Sequence, residues 1–238
     1  MSDVAISGAD VGIALDGDGD RLVIVTNSTR IVPSDRLMML FAREILATQP
    51  GADILFDVKC SRDLVSVITS SGGRPVMTRT GHAWLKSALE ESPAPLAGEY
   101  SGHFIFCDRW QGFDDGLYAA ARFLEILAQS GGTADDLFAA FPERISTPEL
   151  NIPISEDYKF EVVQRLVEQA SSISDATVNT IDGLRVEWPY GWGLVRASNT
   201  GPYLVARFEA NDDDALDRVK YSFKELLGQV DPMLLLPF

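Results

Sequence analysis

The sequence predicts an α/β protein. A mainly parallel sheet with helices forms its larger part, and an α+β region with helices on one small antiparallel sheet follows. Three observations predict this. Strand-length apolar runs alternate with helix-length amphipathic runs from residue 34 to 145. A proline-bearing stretch, ISTPELNIP at 145–153, then interrupts both periods. Beyond it, two helical stretches bracket a cluster of strands and turns. Residues 1–33 stand apart as a strand plus a hairpin, so the expected domains are 1–33, 34–145 and 146–238.

VGIALD (11–16) reads as a short strand, and RLVIVTNSTRIVP (21–33) as two strands around an Asn-Ser-Thr turn. No covering helix is evident for this piece, so Val11, Ile13, Leu15, Val23 and Val25 need a partner surface. SDRLMMLFAREILATQ predicts a helix capped by Ser34, with Leu37, Leu40, Phe41 and Ile45 on its apolar face. ADILFDV reads as a strand, SRDLVSVITSSGG as a capped helix ending in glycines, RPVMTRTG as a strand and HAWLKSALEE as a helix. APLAGEYSGHFIF supplies a strand and turn, DDGLYAAARFLEILAQSGG a long helix and TADDLFAAF a short one. In EDYKFEVVQRLVEQA the buried stripe is expected at Phe160, Val163, Leu166 and Val167. Several strands follow, and DDDALDRVKYSFKELLGQV closes the chain as a helix. Its acidic start is read as a solvated cap facing the free N–H groups of the first turn, in preference to a calcium site.

Composition narrows the function. The 238 residues suffice for one large or two ordinary domains, and 46% apolar with 23% charged residues suits an independently folding protein. A net charge of −15 argues against an extended nucleic-acid surface, though a few local cations can still hold a small phosphate. Cys60 and Cys107 are expected as reduced thiols. No apolar run reaches membrane-span length, and MSDVAISGADVGIALDG carries no basic leader, so the cytoplasm is expected.

LDGDGDR (15–21) places Asp16, Asp18 and Asp20 after a strand, with glycines that let the chain turn tightly. Three carboxylates on one loop suit a hard divalent ion such as Mg²⁺, and without a cation they repel one another. An acidic surface turn is the alternative. Arg21 either holds a substrate phosphate or pairs with one of these aspartates. His82 (RTGHAW) and His103 (GEYSGHF) are the only histidines, too few for a zinc site without cysteine ligands. Proton transfer or hydroxyl binding is the functional reading of both, and local capping the other. Glu99, Ser101 and His103 form a cluster, which strict alternation along an exposed strand would also produce. Lys59 follows a buried strand, where α/β proteins line their crevices, or it simply covers the sheet edge. RASNTG (196–201) joins Arg196, Ser198, Asn199 and Thr200 in a turn able to wrap a phosphate. Trp188, Tyr190 and Trp192 are expected to pack beneath it, with no basic field around them.

In this order, LDGDGDR, the Lys59 and TGH segments, GEYSGH and RASNTG resemble the α-D-phosphohexomutases, most closely the bacterial phosphomannomutase/phosphoglucomutase branch. The resemblance implies four domains around a cleft and a reversible shift of phosphate between O1 and O6 of a hexose, through a phosphoserine and a bound 1,6-bisphosphate. It assigns Asp16, Asp18 and Asp20 to Mg²⁺, and puts Arg21, Lys59 and His82 near the transferring group. Glu99 and Ser101 would bond the sugar hydroxyls with His103 close by. Arg196, Ser198, Asn199 and Thr200 would hold the remote phosphate.

The family's serine lies in a Thr-x-Ser-His-Asn-Pro segment, and no such segment occurs in these 238 residues. The expectation is therefore the C-terminal part of a phosphohexomutase, with the first domain and most of the second outside it, inactive alone and weak or empty in Mg²⁺. Its expected partners are a hexose phosphate and either the missing N-terminal half or a second copy, through residues 1–33. A non-catalytic phosphosugar-binding or partner-docking module, or an inactive remnant, are the alternatives. Glucose and mannose are not distinguished by these motifs.

Overall fold

A computed structural model describes the backbone of residues 1–238 and every side chain except that of Ser172. The chain divides into two compact units, Met1–Pro142 and Glu143–Phe238. Among the described residues, no helix is long and apolar enough to cross a membrane.

The first unit opens with α1 (Ser2–Ser7), β1 (Val11–Leu15), β2 (Leu22–Thr26) and β3 (Ile31–Val32), the strands pairing antiparallel in that order. Then come α2 (Ser34–Thr48), β4 (Asp53–Asp57), α3 (Arg62–Ser70), β5 (Arg74–Thr78), α4 (His82–Glu91), β6 (Leu96–Gly98), β7 (Phe104–Phe106), α5 (Gly116–Ser130) and α6 (Ala134–Ala139). The second sheet runs β5-β4-β6-β7, parallel except at β7. Ile54, Leu55 and Phe56 of β4 are all buried, as expected of a parallel strand covered on both faces.

One apolar core spans both sheets of this unit. Leu22 and Ile24 of β2 join Leu37, Leu40, Phe41 and Ile45 of α2, together with Phe104, Phe106 and Phe123. Phe41 meets Phe104 and Phe106 edge-on at centroid distances of 5.3 and 5.0 Å. Truncating any one of these side chains to alanine would cost about 2–5 kcal/mol. Residues 11–33 thus fold onto 34–142 and share their core. A helix does precede them: α1, whose Val4 packs against Gly12. Val25 is buried, while Ile13, Leu15 and Val23 remain about two-fifths exposed.

Three local expectations are corrected in the two units. Ser34 does not cap α2: Pro33 takes that position and no side chain caps the helix. Residues 145–153 are not a bare connection, since they contain β8 (Ile145–Ser146) and β9 (Leu150–Pro153), both paired with a later strand. In α7 (Lys159–Glu168) the buried residues are Lys159, Val162 and Leu166, and Phe160 is exposed. Leu166 is buried and Val163 and Val167 pack against the same core, so the expected stripe fails only at Phe160, whose place Lys159 and Val162 take.

The second unit continues with β10 (Thr177–Asn179), β11 (Leu184–Trp188), β12 (Gly191–Ala197), β13 (Tyr203–Ala210) and α8 (Asp213–Val230). The strands form one antiparallel sheet, β10-β11-β12-β13-β8, with β9 also on β13. Val186, Val195, Ala206 and Phe208 pack with Val162 and Leu166 of α7 and Val219 and Phe223 of α8. Asp212 caps α8 by accepting from the Ala215 N–H at 2.8 Å, so the acidic run has the capping role expected of it. Trp192 is wholly buried, with the Arg185 and Arg207 guanidinium groups 3.9 and 5.3 Å from its ring centroid. Trp192 therefore packs inside the unit as expected, and the two arginines beside it are paired with Glu187 and Glu209.

Candidate functional site

The aspartate turn is locked to its neighbours by backbone. Leu22 N donates to Gly102 O at 3.1 Å, Gly116 N donates to Gly19 O at 3.0 Å, and Arg21 and His103 form an antiparallel bridge. Glycine is required at both contacts. A Cβ on Gly102, whose φ is +101°, would lie 3.0 Å from Leu22 O, and one on Gly116 2.8 Å from Gly19 O.

This docking brings four separate sequence segments together in the first unit. Asp16, Asp18 and Asp20 converge, with one carboxylate oxygen from each within 4.8 Å of the others. Arg21 pairs with Asp16, Nε to Oδ2 at 2.6 Å, and its N–H donates to Oδ1 at 3.1 Å. Desolvation opposes ionisation of Asp16, but these Arg21 interactions hold its pKa down to about 2. Asp20 Oδ2 faces His103 Nε2 at 3.3 Å. On the ring's other side, His103 Nδ1 lies 3.0 Å from Glu99 Oε2 and 2.8 Å from Ser101 Oγ. Desolvation works against both charges. Even so, the mutual hydrogen bond raises the His103 pKa above the ordinary imidazole value and lowers that of Glu99 below the ordinary carboxylate value. Glu99, Ser101 and His103 sit in the turn between β6 and β7, not on an exposed strand face, and Glu99 is buried.

Asp57, which the sequence reading passed over, joins the remaining segments. It is fully buried at the end of β4 and accepts from Tyr100 N (3.0 Å), Thr80 Oγ1 (2.9 Å) and Cys60 Sγ (3.2 Å). Lys59 Nζ is 3.9 Å from its Oδ2. Burial pushes the Asp57 pKa up, with Lys59 opposing. Lys59 is itself buried, so it does not cover the sheet edge from solvent. Gly81 N donates to Glu99 Oε1 at 2.6 Å, tying the TGH segment to the GEYSGH turn. His82 opens α4 and is exposed, 3.6 Å from Asp114 Oδ2, whose other oxygen accepts from Lys86 Nζ at 2.6 Å. Asp57 and Asp114 were also legible in principle: one ends a buried strand beside Lys59, and the other follows β7.

The aspartate turn fits a hard divalent ion. Its donors are all carboxylate oxygens, and Asp20 Oδ1 is buried without a hydrogen-bond partner, which is the environment a bound cation would relieve.

In the second unit, Ser198 organises the turn after β12. Its Oγ accepts from Thr200 N (3.1 Å) and Gly201 N (3.2 Å), and Thr200 Oγ1 lies 3.3 Å from the Tyr203 hydroxyl. Hydrogen bonds from Ser198 and Thr200 lower the Tyr203 pKa. Arg196 belongs to β12 and not to the turn, and its Nε donates to Asp182 Oδ2 at 2.8 Å. Lys159, absent from the sequence reading of the site, lies beneath and donates to Ser198 O (2.8 Å) and Gly201 O (3.1 Å). Asn199 lies in the turn.

Comparison with known proteins agrees with this division. Residues 33–145 match phosphoglucomutase/phosphomannomutase, alpha/beta/alpha domain III, and residues 149–226 match the C-terminal domain of the same family. The chain belongs to the phosphoglucomutase/phosphomannomutase family. The Pseudomonas aeruginosa phosphomannomutase/phosphoglucomutase is 51% identical over all of this chain and 51% of its own length. A phosphoglucomutase of Neisseria gonorrhoeae is 47% identical over 96% of this chain and 50% of its own. The crystal structure of a phosphoglucomutase/phosphomannomutase family protein from Burkholderia thailandensis superposes with a TM-score of 0.93 at 46% identity, covering 100% of this chain and 50% of that one. The chain thus spans about half the length of the curated relatives it matches, and corresponds to the C-terminal half of this phosphohexomutase fold.

Proposed function

We infer that these residues act as the C-terminal part of a phosphohexomutase, which interconverts hexose 1-phosphate and hexose 6-phosphate through a 1,6-bisphosphate. The observation that carries this reading is the run of contacts from the aspartate turn through His103 to Glu99. Asp20 to His103 is 3.3 Å and His103 to Glu99 is 3.0 Å, which joins a cation-binding turn to an imidazole and a hydroxyl-accepting carboxylate. Phosphoryl transfer between sugar oxygens calls for these functions side by side.

Asp16, Asp18 and Asp20 would hold Mg²⁺, which when bound neutralises charge on a phosphoryl group. Arg21 and Lys59 add positive charge close by, each already oriented by a carboxylate. His103 holds a proton on a ring fixed from both sides, suited to exchange with a sugar oxygen, and exposed His82 offers a second imidazole. Glu99 and Ser101 accept from and donate to ring hydroxyls. In the second unit Arg196, Ser198, Asn199 and Thr200 bind the phosphate remote from the reacting end.

The phosphoryl-carrying serine is proposed to lie outside these residues. The 238-residue chain alone is then expected to show no interconversion of mannose or glucose 1-phosphate and 6-phosphate, with or without added hexose 1,6-bisphosphate. Calorimetry should still detect sub-millimolar binding of a hexose phosphate, weakened about tenfold in Arg196→Ala or Glu99→Ala, and Mg²⁺ binding weaker than micromolar. Sustained turnover by the pure chain, or binding indifferent to both substitutions, would defeat this reading. Unchanged ligand binding without turnover when a serine-bearing N-terminal half is supplied would instead favour a non-catalytic phosphosugar-binding module.

A further inference from the structure

Tyr203 opens β13, after the turn at 198–202, and does not serve the core of the second unit. Leu204, Ala206, Phe208 and Ala210 fill the core face of that strand, and alternation puts Tyr203 on the other face. Its backbone is tied to the turn at two points. Tyr203 N donates to Gly201 O at 2.9 Å, and Ser198 N donates to Tyr203 O at 3.0 Å. The ring lies against Gly201, where a Cβ would meet ring carbon Cε1 at 2.4 Å. The missing side chain at 201 is therefore what leaves room for the phenol.

That position puts the phenol oxygen beside two other hydroxyls. Thr200 Oγ1 is 3.3 Å from it, and Ser198 Oγ is 3.4 Å from Thr200 Oγ1. Ser198 Oγ already accepts from the N–H groups of Thr200 and Gly201, so its own proton is what it can offer a neighbour. Hydrogen bonds from Ser198 and then Thr200 favour negative charge on the phenol oxygen and lower the Tyr203 pKa. The Lys159 ammonium acts in the same direction, while desolvation and Glu149 oppose it. A phenol that accepts from its neighbouring hydroxyls keeps its own O–H for an acceptor beyond the turn, and those bonds make it a stronger donor. The acceptor that suits such a donor best is an anionic oxygen.

We propose that the Tyr203 hydroxyl is a further ligand of the phosphate at this turn, donating to one of its non-bridging oxygens alongside Arg196, Ser198, Asn199 and Thr200. The assignment rests on the phosphohexomutase reading of the turn. Calorimetric titration of glucose 6-phosphate and of mannose 6-phosphate into the 238-residue chain and its Tyr203→Phe variant tests it. Phenylalanine keeps the ring against Gly201 and removes only the hydroxyl. Affinity for both sugar phosphates is expected to fall about tenfold and by the same factor, because they share the phosphate and differ in one sugar hydroxyl. With tyrosine labelled with ¹³C at Cζ, the resonance that is missing in Tyr203→Phe should shift when glucose 6-phosphate is added to the unsubstituted chain. A loss for one sugar only would assign the hydroxyl to a sugar group, and unchanged affinity for both would remove it from the site; either result overturns the proposal. Arg196→Ala separates this from the reading beneath it. If that variant weakens binding and Tyr203→Phe does not, the proposal alone fails. If Arg196→Ala is equally silent, or the unsubstituted chain binds neither sugar phosphate, the reading of the turn fails with it.

Discussion

The candidate residues of the two units are held in opposite ways. In the first unit, polar groups from separate segments meet, Asp20 with His103 and Asp57 with Thr80 and Tyr100, beside the local ion pairs of Asp16 with Arg21, His103 with Glu99 and Asp57 with Lys59. In the second, the turn is made mostly by its own residues, with Ser198 bonding Thr200 and Gly201, and one buried lysine bracing the carbonyls from below. A site for moving charge needs titrating groups whose pKa values the fold sets. A site that grips a fixed anion needs only preformed donors, which a short turn can supply.

Substitutions at the hubs should separate these two designs, with the largest effect at Asp57. Asp57→Ala leaves Lys59, the Thr80 hydroxyl and the Tyr100 N–H without their common acceptor in a dry interior. Denaturant unfolding should show a loss of about 3 kcal/mol or more. A change below ~1 kcal/mol would mean that the first unit does not depend on this long-range hub. Lys159→Met preserves most of the volume but strips the Ser198 and Gly201 carbonyls of a charged donor. A loss of about 2 kcal/mol is expected, with phosphosugar affinity falling in parallel. Retained affinity would show that the turn forms without its brace.

A smaller effect is expected from pH, and it should be confined to the first unit. His103 has a raised pKa, so its contribution is fully present below the unfolded imidazole value and is lost as pH rises through the raised one. Glu99 has a lowered pKa, so its contribution is present above the unfolded carboxylate value and is lost as pH falls through the depressed one. The pair therefore supports the fold most between about pH 4.3 and about pH 6.5, and less on either side. The stability gap between the unsubstituted chain and His103→Gln should narrow as pH rises above about 6.5 and through the raised value. A gap constant with pH would show that the ring contributes packing alone. The smallest effect belongs to the surface: Ile13→Ser should change unfolding free energy by less than about 1 kcal/mol while lowering any concentration-dependent association seen by sedimentation. Association equal in both proteins would remove β1 as its cause.

The sequence by itself determined the order of strands and helices in 34–145, the antiparallel character of the last region, and the aspartate, GEYSGH and RASNTG segments. These were legible because each rests on local spacing: period, turn residues, or like charges a few positions apart. It did not disclose that residues 11–33 share a core with α2, nor that α1 sets Val4 against Gly12. The roles of Asp182 and Lys159 were equally hidden. The same limit misplaced one end of the α7 stripe: Leu166, Val163 and Val167 do pack into the core, but Lys159 is buried where Phe160 was expected, and Phe160 is exposed. Hydropathy records what a side chain costs to bury alone, whereas a buried charge is settled by partners that only the folded chain brings within reach.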